Sequence, residues 1–408
     1  MKKSLLKKYA ELIVRSGIAL KKGQTVVIRA NVGIEPFTAM VVEECYRNGA
    51  KRVIVEWGSE ECARAAYKKG KKENLAEVLP YEIEKEKWFN EELPCFLWLD
   101  SDDPDAMAGL NQEKMAFIRR KRMAALYPLK IQRENHYQWC IAGVPSPAWA
   151  KKVFPDLPRG KAVEKLWEAI LATSRALDGN GIENWKKHDE DLKKRCAYLN
   201  SLRLKKLHYT SSNGTDLTVG LIPGVIFLGG GESTLEGTYY QPNIPSEECF
   251  TSPMKGEAEG IVFSAKPLSY GGTLIENFSV RFHEGKAVEV HAERGQEALE
   301  SILSIDEGSA YLGECALVPY DSPINNTGLL FYNTLFDENA ACHLALGVGF
   351  TNLYPDFEKY TEEEIHSFGI NKSMSHVDFM IGSKDLTIIG TTEDGQEVAI
   401  FSNGNWAF

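Results

Sequence analysis

Residues 25–57 read TVVIRANVGIEPFTAMVVEECYRNGAKRVIVEW. Residues 25–30 and 52–57 are rich in β-branched side chains, the composition of buried strands. Between them, residues 35–48 have helical character. Pro36 sits in the first turn and Gly49 just past the end, where a preset φ starts a helix and a missing Cβ lets it stop. This strand–helix–strand unit predicts a right-handed parallel crossover.

Working outward, residues 5–20 carry apolar positions at helical spacing and form a first amphipathic helix. Residues 60–71 give a further helix. Residues 95–99 give a buried strand, which leads into the acidic turn Asp100-Ser101-Asp102-Asp103-Pro104-Asp105. A short strand at 139–142 ends at Gly143 and Pro145. Residues 164–177 form an amphipathic helix with Leu166, Ile170, Leu171 and Leu177 on one side. Residues 1–183 are therefore expected to be a mainly parallel α/β domain. No Gly-x-Gly-x-x-Gly follows the first strand, so nucleotide binding has no support.

Residues 184–206 are dense in Lys, Asp, Glu and Arg and read as a solvated connecting helix. The composition then shifts. Residues 207–221 enclose Asn213-Gly214-Thr215-Asp216 and read as a hairpin. Gly229-Gly230-Gly231 reads as a flexible turn, and residues 256–293 as short β segments with turns at Gly271-Gly272 and Glu284-Gly285. Residues 207–408 are expected to be an α+β, metal-binding domain rich in antiparallel pairs. The fold class is thus α/β, with an α+β second half.

The chain has 408 residues, 43% of them hydrophobic and 25% charged, with a net charge of −10. That charge argues against nucleic acid and against anionic membrane, which require a basic face. No apolar run approaches the roughly 18 residues of a membrane span. Lys7, Lys8, Glu11 and Arg15 interrupt any signal-type apolar core, so a cytoplasmic location is the expectation. The eight cysteines form no Cys-x-x-Cys pair and read as reduced, buried thiols.

The chemistry concentrates late in the chain. Three pieces read Glu314-Cys315-Ala316-Leu317, Asp337-Glu338-Asn339-Ala340-Ala341-Cys342-His343-Leu344 and Ser375-His376-Val377-Asp378-Phe379. Pro245-Ser246-Glu247-Glu248-Cys249-Phe250 offers further carboxylates. Carboxylates and imidazoles are the side chains that take divalent metals. His376 and Asp378 are two apart, so on a strand they share a face. Glu338 and His343 are five apart and need a turn to converge.

On these residues the chain resembles the M29 family of metal-dependent aminopeptidases, of the thermophilic aminopeptidase T type. The resemblance runs through Ser246–Pro253, Gly313–Ile324, Asn333–Ala340, Cys342–Gly347 and His376–Gly382, and it extends into the N-terminal half. It implies an exopeptidase that removes N-terminal residues from peptides with a water activated by two divalent metal ions. It implies the ligands Glu248, Glu314, Glu338, His343, His376 and Asp378, with Glu314 as the bridge. It also implies a homodimer enclosing a cavity. The donor set suits zinc, cobalt, manganese or magnesium without choosing among them.

Family members commonly carry a tyrosine seven residues after the ligand histidine; here that position is Phe350, which offers no hydroxyl. Tyr354 supplies a phenol if the loop bends back. Glu247 is a candidate general base, or equally an ordinary surface acid. Two other readings stand beside the aminopeptidase. One is a related metal-dependent amidohydrolase. The other is an impaired or non-catalytic metal-binding dimer that retains peptides.

Overall fold

The computed structural model describes residues Met1–Phe408, which divide into two compact units. Unit 1 comprises Met1–His188 and Gly231–Ser246; unit 2 comprises Asp189–Gly230 and Glu247–Phe408. Residues 231–246 fall within the expected second domain yet pack with the first, so the chain crosses between units three times. No helix is long and apolar enough to cross a membrane.

In unit 1 the strands Thr25–Asn31 and Arg52–Gly58 pair in parallel, Thr25 against Arg52, with the helix Glu35–Arg47 between them. Cys95–Asp100 and Trp139–Gly143 continue the parallel sheet on the other side of the first strand. A two-residue strand, Asn243–Ile244, closes that edge against Ile141 and Ala142. One face of the sheet is fully apolar: Val26, Ile28, Leu97, Cys140 and Ala142 are all 0% exposed. The Val, Ile and Leu side chains among them each contribute about 1.5–3 kcal/mol by leaving water. The other face carries Arg29 over the rings of Phe96 and Trp98, and a buried Arg133–Glu86 pair at 2.7 Å.

Several expectations need correction. The first helix is Lys3–Leu12, widened into a π turn at Ile13–Gly17, rather than one helix to residue 20. The helices Pro80–Glu92 and Gln112–Lys130 were not anticipated. The connecting helix is Gly181–Ser201, and a strand, Leu204–Thr210, already begins where it was expected to continue. It is also more than a solvated spacer. Trp185, Leu192, Cys196 and Leu199 recur at helical spacing beneath the dense charge and are buried.

Unit 2 is built on antiparallel sheets. Leu204–Thr210 and Asp216–Leu221 form the expected hairpin within a nine-stranded sheet. A second sheet has four strands, in the order Cys249–Thr251, Leu312–Leu317, His343–Gly347, His376–Met380. Leu207, Tyr209, Leu217 and Val219 from the large sheet share one apolar cluster with Cys315, Leu317, Leu344, Leu346 and Phe379 from the small one.

Candidate metal centre

The small sheet is antiparallel throughout, and its register fixes what shares a face. Side chains alternate between faces along a strand. Cys315, Leu317, Leu344, Leu346, Val377 and Phe379 therefore turn into the core, where each is 7% exposed or less. The opposite face presents Glu314, His343, His376 and Asp378. Between them lie Ala316, Ala345 and Gly347: Ala316 pairs with His343, Ala345 with both Glu314 and Asp378, and Gly347 with His376. Small residues at these positions leave space above the sheet among four ligating side chains. Glu248, one residue before the first strand, joins them through His343.

The contacts resolve into two groups sharing one member. Nε2 of His343 lies 3.2 Å from Oε2 of Glu248. Nε2 of His376 lies 3.0 Å from Oε2 of Glu314 and 3.2 Å from Oδ1 of Asp378. Glu248, Glu314 and His343 offer ligand atoms all within 4.8 Å of one another, and so do Glu314, His376 and Asp378. Each imidazole uses its far nitrogen on a main-chain carbonyl: Nδ1 of His343 on Ala341 at 3.2 Å, and Nδ1 of His376 on Val348 at 2.9 Å. That fixes the tautomer which leaves Nε2 facing the carboxylates, the arrangement usual for histidines that hold a metal.

Burial and neighbouring charge both shift the protonation of this cluster. Burial pushes the Glu314 carboxyl up, with Glu248 and Asp378 adding to the rise and His376 opposing it. Burial pushes Glu338 well up, reinforced by Asp378, Glu248 and Glu314. Burial works against charging His343, but the hydrogen bond and charge of Glu248 outweigh it and carry the imidazole up to about 9. His376 is likewise raised against its burial, by Asp378 and Glu314, while Asp378 is held low despite burial because His376 faces it. Carboxylates this deep are stable only with compensating positive charge, and divalent cations supply it. The donor types, their mutual distances and the histidine tautomers therefore fit metal ions.

Glu338 sits outside both close groups, in the 3₁₀ turn Glu338–Ala340, where Nδ2 of Asn339 donates to its Oε1 at 3.2 Å. Its electrostatic neighbours are nonetheless the members of those groups. Glu247 is 4% exposed, so it is not a surface acid, and its amide donates to Oδ1 of Asn339 at 2.7 Å. Phe350 lies beside the centre: its ring centroid is 5.1 Å from that of His376 and 5.2 Å from that of Phe250. Tyr354 does not bend back; it stacks on Phe368 with ring centroids 4.8 Å apart. Asn339 and Phe250 escaped the sequence reading. Asn339 is wholly buried next to a charged turn, and an amide following Asp-Glu was the available signal. Phe250 follows Glu248 at strand spacing.

A family model described as thermophilic metalloprotease (M29) matches residues 2–406. Aminopeptidase AmpS of Bacillus subtilis is 40% identical over 405 residues, covering 99% of this chain and 98% of its own. Aminopeptidase T of Thermus thermophilus is 39% identical over 402 residues, covering 98% of each. The solved structure of wild-type AmpT from Thermus thermophilus superposes with a TM-score of 0.90 at 38% identity, over 100% of both chains. A 2,5-dihydroxypyridine dioxygenase from Pseudomonas putida also superposes, with a TM-score of 0.52 at 13% identity over 99% of this chain and 96% of its own; that likeness concerns the fold alone.

Proposed function

The chain belongs to the M29 family of metalloproteases, and on that footing we propose that it is a metal-dependent aminopeptidase holding two divalent cations. Glu248, Glu314 and His343 would hold one cation, and Glu314, His376 and Asp378 the other, with Glu338 adding a carboxylate from its turn. The observation that carries this reading is that Glu314 belongs to both close groups. Two cations so placed would polarise the scissile carbonyl, bind the free substrate amine and make a water acidic enough to attack near neutral pH.

The protein's own residues supply the rest. The main-chain carbonyls of Ala341 and Val348 keep the two imidazoles in one tautomer. Glu247 is a buried carboxylate next in sequence to Glu248, and its amide donates to Oδ1 of Asn339. We assign it the role of taking the attacking water's proton and passing it to the leaving amine. Phe350 and Phe250 form an aromatic wall beside His376. Phe350 has no hydroxyl to donate to the tetrahedral oxyanion, which favours a second reading, peptide retention with slow turnover.

The substrates are peptides with a free N-terminus. The working form is a cytoplasmic homodimer, a reading that rests on the family resemblance and on eight thiols of which none is bridged. Zinc, cobalt, manganese and magnesium all suit the donors. The test is hydrolysis of aminoacyl-p-nitroanilides against their N-acetylated forms with added Co2+ or Zn2+. Only the free-amine substrates should be cleaved. Equal cleavage of blocked substrates would make the protein a broader amidohydrolase.

A further inference from the structure

His376 depends on one carbonyl, that of Val348. The segment carrying it, residues 347–349, is tied down at all three of its amides and at the Gly347 carbonyl, the Gly347 amide donating to the carbonyl of Tyr311 at 2.8 Å. The Val348 amide donates to the carbonyl of Ser375 at 2.7 Å, and the Gly349 amide donates to the main-chain carbonyl of Asn371 at 2.9 Å. The Gly347 carbonyl accepts from Nδ2 of Asn371 at 2.6 Å. The same Nδ2 donates to the carbonyl of Gly308 at 2.8 Å, so one amide group links the segment to a second stretch of backbone. Asn371 is 0% exposed, and its Oδ1 has no protein partner, so its side chain acts here as a donor only.

Space is controlled as tightly as hydrogen bonding. Gly347 takes φ +116°, and a Cβ there would come within 2.0 Å of the Ser375 carbonyl oxygen. A Cβ on Gly313, one residue before Glu314, would lie 2.2 Å from the Val348 oxygen and 2.4 Å from the Gly347 oxygen. The glycine at 313 is therefore what lets the Val348 carbonyl stand where His376 needs it.

We propose that Asn371 is a positioning residue for the His376 half of the metal centre, acting through the Gly347–Val348 backbone. The inference rests on the two-cation reading above. His343 is held by a different carbonyl, that of Ala341, to which Asn371 makes no hydrogen bond. Asn371 thus acts selectively: it orients the ligand of one cation and leaves the other cation's imidazole untouched. Groups that orient a metal-bound histidine lower metal affinity by about 10–100-fold when removed.

The experiment is a Co2+ titration of the metal-free full-length protein, read as bound cobalt per chain, for the wild type, Asn371→Ala and Asn371→Asp. Thermal unfolding in EDTA reports folding separately. The wild type should bind two ions. Both variants should keep one binding step at wild-type strength and weaken the other by about 10–100-fold. Asp preserves the volume of Asn but not its N–H pair, so an Asp variant that behaves like the wild type overturns the donor role. Equal weakening of both steps, or of neither, overturns the proposal as well. A wild type that binds one ion sinks the two-cation reading itself, and this inference with it. Should the Asn371 variants not melt cooperatively, Gly313→Ala pushes on the same carbonyl from the other side. Because Gly313 precedes Glu314, which belongs to both groups, this change should weaken both steps, the His376 step by the larger factor, and two steps of wild-type strength, or two steps equally weakened, would contradict the proposal.

Discussion

The parallel sheet of unit 1 and the small antiparallel sheet of unit 2 are both buried, yet they treat polarity in opposite ways. In the parallel sheet, apolar residues line the packed face and the charges on the other face pair locally, as Arg29 does with Glu56 at 3.0 Å. In the small sheet, one face is as apolar as any core, and the other gathers carboxylates whose ion-pair partners are histidines. The first arrangement lowers the free energy of folding by itself. The second raises it unless something of opposite charge is added. The lesson is that unit 1 is arranged for stability, while the small sheet gathers side chains of the types that take divalent cations.

The sharpest way to break this contrast is Glu314→Gln, which removes the side chain common to both groups. It should lower kcat/KM by about a thousandfold, some 4 kcal/mol of transition-state stabilisation, with loss of both metals. Retention of two ions per chain by that variant would remove Glu314 from the shared position. The opposite experiment is Leu97→Ala in the parallel sheet, where the side chain is 0% exposed. It should destabilise by about 2–5 kcal/mol in urea while activity per folded chain stays unchanged.

Stripping the metal should act on unit 2 alone. An ion present at a hundred times its Kd stabilises by about 2.7 kcal/mol. Hydrogen exchange should therefore accelerate in Leu312–Leu317, His343–Gly347 and His376–Met380 on EDTA treatment and stay unchanged in Thr25–Asn31 and Cys95–Asp100. Uniform acceleration would erase the distinction between the regions.

Phe350→Tyr places a hydroxyl beside His376. It should raise kcat on aminoacyl-p-nitroanilides about tenfold, a modest share of what one oxyanion donor contributes elsewhere. No change in kcat would show that the aromatic wall serves binding rather than turnover.

The smallest effect belongs to unit 1. Burial pushes the Glu60 carboxyl up to about 7, with Asp102, Asp103 and Asp100 adding to the rise and the Asp103 amide opposing it. The folded state therefore binds the proton more tightly than the unfolded chain, whose carboxyl keeps the ordinary value of 4.5. The associated stability is present below pH 4.5 and is lost as pH rises through about 7. Glu60→Gln should flatten the pH dependence of the urea midpoint over that window. An unchanged slope would rule out Glu60 as its source.

The two regions were also unequally legible. Residues 25–57 declare the parallel crossover because β-branched runs and a Pro-to-Gly-bounded helix are local signals. The helices Pro80–Glu92 and Gln112–Lys130 carry charge on most faces and have no clean apolar stripe, so periodicity passed over them. The return of Asn243–Ile244 to unit 1 depends on pairing with Ile141 and Ala142, about a hundred residues earlier, which no local pattern encodes.

At the centre, the spacing of His376 and Asp378 alone puts two side chains of metal-ligating type on one strand face, whereas Glu314 and His343 entered as candidates through the family resemblance. Glu338 sits in a 3₁₀ turn, which has no such strand spacing. The Val348 carbonyl was invisible, since a backbone acceptor leaves no mark in the sequence. Asn371, which reaches the neighbouring carbonyl, looked like an ordinary loop residue.

The most direct test of the central claim is anomalous diffraction at the metal edge from crystals of the metal-loaded protein, with the metal content of the same preparation counted. Two peaks per chain are expected, one among Glu248, Glu314 and His343 and one among Glu314, His376 and Asp378. A single peak, or peaks lying away from Glu314, would contradict it.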